Sequence, residues 1–127
     1  MSEILLVFIG AGSGGVLRFL LGNLIYYYTG RLFPYGTLVI NLTGSFIIGV
    51  MYIIITQKFN NLSPALSALI LVGLLGGYTT FSSFSLETLK LFQEGKLTNA
   101  FINIIVSVTA GLICTYLGIK LGNKIIM

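Results

Sequence analysis

The chain has 127 residues, of which 56% belong to the hydrophobic class and 8% are charged, and a mean hydropathy of +1.01. That is too little charge to coat a water-facing surface, which excludes a soluble domain and indicates an integral membrane protein. The net charge of +4 comes from scattered basic residues and not from a nucleic-acid-binding cluster, while the absence of His and Asp and the single Cys114 argue against an enzyme, an intrachain disulfide or a multi-cysteine metal site.

The first predicted span covers about 4–28, long enough to cross a hydrocarbon core of roughly 30 Å. It follows Met-Ser-Glu without a basic leader or a conspicuous cleavage site, so it is expected to be retained. Gly10, Gly14, Arg18 and Gly22 recur every four residues and share one helix face. The glycines predict close approach by another helix. Arg18 has two readings that are compatible: its side chain snorkels to the nearer interface, or it draws anions into a water-filled vestibule.

The second span, about 35–56, places Thr37, Asn41, Ser45 and Gly49 on one face. Such a stripe serves either as interhelical glue or as part of a polar pathway. The Asn41 amide, with two donor hydrogens, needs a partner in either case. A short polar loop follows, and Ser63-Pro64 reads as an N-cap followed by the first helical residue.

The third span, about 64–92, contains the stretch that helix rules do not explain. Residues 73–87 read Gly-Leu-Leu-Gly-Gly-Tyr-Thr-Thr-Phe-Ser-Ser-Phe-Ser-Leu-Glu. Gly is disfavoured inside helices, and Thr and Ser offer the backbone other hydrogen bonds, so unwinding is expected at 76–80, between two half-helices. At membrane depth the freed backbone groups must be covered by protein, water or an ion. Phe81 and Phe84 share a face beyond the break; they serve ordinary packing, or they turn positive ring edges toward an anion. Ser83 and Glu87 lie on a neighbouring face, and Glu87 also has Lys90 three residues on as a possible interfacial partner.

The fourth span, about 97–121, carries Asn99, Asn103, Ser107, Gly111 and Thr115 at four-residue spacing. Together the stripes predict a tightly packed bundle or a polar track. With four spans both termini share one side, where Lys58, Lys120 and Lys124 face Arg31, Lys90 and Lys96 on the other. This balance leaves the positive-inside rule almost no preference, and predicts a homodimer of antiparallel, dual-topology subunits.

The combination Gly14-Gly15-Val16-Leu17-Arg18, Gly36-Thr37-Leu38-Val39-Ile40-Asn41-Leu42-Thr43-Gly44-Ser45-Phe46 and Gly76-Gly77-Tyr78-Thr79-Thr80-Phe81-Ser82-Ser83-Phe84-Ser85 with Glu87 resembles the Fluc/CrcB family of fluoride channels. The resemblance covers nearly the whole chain. It implies an all-α, four-span membrane protein with a broken third helix, a single membrane domain over 1–127, and an antiparallel homodimer in the plasma membrane. Two fluoride pores and a structural Na⁺ at the dimer interface are also implied. By motif position, Phe81, Phe84 and Asn41 resemble the residues lining the fluoride path, and Thr80, Ser83 and Glu87 a polar track beyond the phenylalanines. Ser107 matches the track in polarity and position, Arg18 resembles the vestibule arginine, and the Gly76 and Thr79 carbonyls resemble the sodium ligands. The implied function is passive fluoride export from the cytoplasm. A small multidrug-resistance-type exporter is the alternative, but it needs an acid in the middle of its first span, where this chain has only Glu3 at the start.

Overall fold

The computed structural model describes residues 2–127, and within them all regular structure is helical. Helix α1 is Ser2–Thr29 and α2 is Tyr35–Ile53, the latter extended by a π-helical turn over Ile54–Lys58. Helix α3 spans 63–78, with a long π-helical segment at Ser67–Leu75, while α4 is Phe81–Gln93 and α5 is Leu97–Ile126. Four helical segments are long and apolar enough to cross a membrane: Ser2–Thr29, Tyr35–Lys58, Asn60–Gln93 and Leu97–Ile126. The last continues beyond the expected limit near 121.

The boundaries have local causes. Gly30, at φ +73°, closes α1 with its N–H on the Tyr26 carbonyl (2.9 Å). Gly95, also at φ +73°, ends α4 with a paired arrangement in which Gly95 N–H reaches Phe92 O (3.1 Å) and Lys96 N–H reaches Leu91 O (2.9 Å). Both use the left-handed conformation that glycine adopts without steric cost. At the start of α3, Ser63 is already helical and the capping position falls to Leu62, with no side-chain bond, so the expected Ser63 cap does not form.

The helices associate through small residues, as membrane helices do when lipid offers no hydrophobic penalty to separation. On α1, a Cβ at Gly10 would meet the Leu69 carbonyl and one at Gly14 the Leu74 carbonyl, so both glycines admit the α3 backbone. Gly77 answers from α3, with its own face against the backbone of Ala11. A second close pair joins α2 to α5, where Gly49 meets the Thr115 carbonyl and Gly118 meets the Phe46 carbonyl. Helix α4 lies against α5. Outward faces are apolar, as with Phe8 (75% exposed) and Leu112 (70%), which suits a lipid environment.

Candidate functional site

Helix α3 stops at Tyr78, after which Thr79 (φ −80°, ψ 157°) and Thr80 (φ −150°, ψ 115°) are extended before α4 begins. The non-helical backbone is thus narrower than the expected 76–80, because Gly76–Tyr78 keeps helical geometry. Glycine's low propensity is overridden here by packing, since α1 requires the close approach that Gly77 permits. Side chains meet several of the backbone groups around Thr80. Asn41 Nδ2 donates to the Thr80 carbonyl at 3.0 Å, and Asn41 Oδ1 accepts the Thr80 N–H at 2.8 Å. Thr80 Oγ1 in turn accepts the Ser83 N–H at 3.2 Å, capping α4, and donates to Ser83 Oγ at 3.1 Å.

Two consequences follow for the residues singled out by sequence. Diversion of the Thr80 N–H to Asn41 takes away the donor that a continuing helix would offer to the Gly76 carbonyl. The Thr79 carbonyl instead faces Arg18, whose Nη1 lies 3.5 Å away. Arg18 therefore reaches from α1 toward the extended backbone.

Arg18, Thr80, Ser83 and Glu87 come together along one cleft of about 450 Å³, which also includes Asn23, Tyr26, Arg31 and Thr37. Glu87 is held by one oxygen: Oε1 accepts from Thr37 Oγ1 at 2.8 Å and from the Tyr26 hydroxyl at 3.2 Å. Its Oε2 is buried with no partner. The expected pairing of Glu87 with Lys90 is replaced by these neutral donors. Asn41, Thr79, Thr80 and Phe81 border a second groove of about 260 Å³, together with Ser45 and Ile48. Phe81 and Phe84 stand side by side, ring centroids 5.5 Å apart and planes inclined by 49°. Phe81 is 78% exposed, an unusual placement for an aromatic ring unless lipid or another chain covers it.

Ser107 is separated from this group and belongs to another network. Its Oγ donates to Asn103 Oδ1 at 3.4 Å, Asn103 Nδ2 donates to Thr88 Oγ1 at 2.8 Å, and Thr88 Oγ1 donates to the Phe84 carbonyl at 2.7 Å. Asn103 is only 2% exposed, so this chain of bonds ties α5 to the backbone of the second phenylalanine. Tyr26, Thr37, Thr88 and Asn103 are the residues that sequence reasoning did not assign to the site. Spacing held a signal for three of them. Tyr26 continues the Gly10, Gly14, Arg18, Gly22 stripe by one more step, and Thr37 and Asn103 sit within the α2 and α5 stripes.

Residues 5–119 match the model of the family described as CrcB-like protein, Camphor Resistance (CrcB). The chain belongs to the CrcB family. Curated relatives cover almost the full length: a protein of Coxiella burnetii (strain Dugway 5J108-111) is 41% identical over 97% of this chain and 99% of its own. One from Magnetococcus marinus is 45% identical over 97% and 99% of the two chains. One from Shewanella frigidimarina is 46% identical over 95% and 96%. All three are named "Fluoride-specific ion channel FluC". These relatives are named as ion channels and not as enzymes.

Proposed function

We propose that this protein is a fluoride-selective channel that lets fluoride leave the cytoplasm by passive electrodiffusion across the plasma membrane. The observation that carries the reading is the junction of Asn41, the extended Thr79-Thr80 backbone and the Phe81–Phe84 pair, within a chain whose full-length relatives are named fluoride channels. Fluoride is small and strongly hydrated, so a selective path must replace water with closely placed donors. Asn41 has a second amide hydrogen beyond the one on Thr80, Ser and Thr hydroxyls flank the junction, and the phenylalanines offer positive ring edges. Conduction also needs no single site to bind too tightly, which suits rings and hydroxyls better than a lone cation.

The functional unit in this reading is an antiparallel homodimer, with the third span read as one membrane crossing interrupted at Thr79-Thr80. The balanced loop charges and the exposed Phe81 support it. A structural Na⁺ between the subunits fits the oxygen donors present: the Gly76 carbonyl lacks its usual helical donor, and the Thr79 carbonyl keeps a lone pair beyond the one facing Arg18. Two carbonyls per chain are too few alone, so a second copy would complete the set. Bound there, the ion would supply positive potential at low dielectric.

The multidrug-exporter alternative gains no support, because α1 carries no acid beyond Glu3 in its first turn. Purified protein in liposomes, followed with a fluoride electrode and with chloride as control, tests the proposal. Rapid fluoride efflux with little chloride efflux is expected. Equal leakage of both anions, or none of either, overturns it. Tag accessibility in membranes tests the dual topology separately, and a single orientation would remove it.

A further inference from the structure

Arg31 lies in the link between α1 and α2, where sequence alone marks it as a loop charge. Its side chain turns back onto α1. The guanidinium sits over the Tyr26 ring, 4.9 Å from the centroid, and Nη2 lies 3.5 Å from Asn23 Oδ1. Arg31 thereby borders the 450 Å³ cleft that holds Arg18 and Glu87, and also an adjoining hollow of about 210 Å³ that includes Lys90. The two arginines occupy opposite ends of the cleft: Arg18 reaches the Thr79 carbonyl, while Arg31 rests on Tyr26, eight residues or about 12 Å further along α1. Between them stands Glu87, a carboxyl group with one oxygen bonded and the other buried without a donor.

We infer that Arg31 forms an outer anion-collecting site for small monovalent anions, offsetting Glu87 at the mouth and feeding fluoride toward Arg18. This rests on the fluoride-channel reading. Arg31 does so as a positioned charge: stacking on Tyr26 and the contact with Asn23 hold the guanidinium over the cleft instead of leaving it free in solvent. The Tyr26 hydroxyl, below that ring, donates to Glu87, so a single side chain carries both the cation and the carboxyl. Because Arg31 is exposed and Arg18 is half-buried, only the outer charge is strongly screened by salt.

Salt dependence supplies the test. One unit charge about 10 Å from the ion's route, in a medium between water and protein, changes local anion occupancy roughly threefold. The Debye length is about 30 Å at 0.01 M and about 8 Å at 0.15 M, so this difference is present at low salt and mostly absent at high salt. Initial fluoride efflux from liposomes would be measured at subsaturating fluoride across that range, set with potassium gluconate, for the wild type, R31K, R31Q and R31E. Expected results are near wild-type flux for R31K, a roughly threefold loss for R31Q at low salt that disappears at high salt, and a larger loss for R31E. Adding Asn23→Lys to R31Q returns a charge to the same rim and should recover low-salt flux. Equal losses at both salts, R31K as slow as R31Q, or wild-type flux in R31Q would each overturn the role of Arg31. Absence of fluoride efflux in the wild type would instead overturn the channel reading on which it depends.

Discussion

Asn41 and Thr80 form a closed two-bond ring, with the Asn41 amide donating to the Thr80 carbonyl at 3.0 Å and accepting its N–H at 2.8 Å. An amide oriented this way satisfies both backbone groups, since one needs a donor and the other an acceptor. Asn41 thus supports the extended backbone as well as presenting a hydrogen to the adjacent groove. Asn41→Asp retains the acceptor but replaces the donor with an anionic oxygen that opposes both the Thr80 carbonyl and fluoride. Fluoride efflux should fall more than tenfold. Asn41→Ala leaves two backbone groups without partners, at about 1–3 kcal/mol each, and should lower stability as well as flux. Wild-type efflux from Asn41→Asp would show that the amide is dispensable to the ion.

Phe81 and Phe84 make a narrower prediction. Isoleucine preserves apolar bulk and removes the ring edge, so Phe81→Ile or Phe84→Ile should nearly abolish fluoride efflux while the protein elutes as the wild type does. Phe81 is 78% exposed in the single chain, so wild-type elution of the variant is what separates loss of the ring edge from loss of packing against a second copy. Unchanged flux in both variants would remove the phenylalanines from the path.

Two neighbouring glycines separate close packing from chain flexibility. A Cβ at Gly14 would run into the Leu74 carbonyl and come within 2.8 Å of Tyr78 N, whereas one at Gly12 meets nothing within 4 Å. Gly14→Ala should therefore destabilise the bundle by about 1–3 kcal/mol through overpacking. Gly12→Ala should be neutral, or stabilising by about 0.5 kcal/mol from improved helix propensity. Reversible unfolding in mixed detergent measures both, and equal behaviour of the two variants would contradict the α1–α3 contact.

Thr88 lies at the centre of the α4–α5 network. Thr88→Val keeps the shape but removes the oxygen that accepts from Asn103, leaving a donor buried in a residue only 2% exposed. A loss of about 1–3 kcal/mol in the same unfolding experiment is expected. Asn103→Leu combined with Thr88→Val removes both partners and should recover part of that loss. A double variant less stable than the sum of the single changes would argue against a direct bond between them.

What sequence alone determines here follows from the bilayer as a solvent. Hydropathy identifies four membrane-crossing segments because lipid penalises every uncovered polar group, and four-residue spacing identifies the helix faces because backbone geometry is local. The Gly10 and Gly14 contact surface is legible for those reasons, whereas the helix propensities of Gly, Ser and Thr point to unwinding over 76–80 and the extended backbone is confined to Thr79-Thr80. Only the tertiary structure decides which polar atom meets which. It turns Arg18 to the Thr79 carbonyl, commits Asn41 to Thr80, gives Glu87 to Thr37 and Tyr26 in place of Lys90, and links Asn103 to Thr88 away from the cleft. Those pairings join residues as far as 61 positions apart, and they depend on how deeply each glycine lets two helices approach. Periodicity places a residue on a face, but the distance and rotation between packed faces choose its partner.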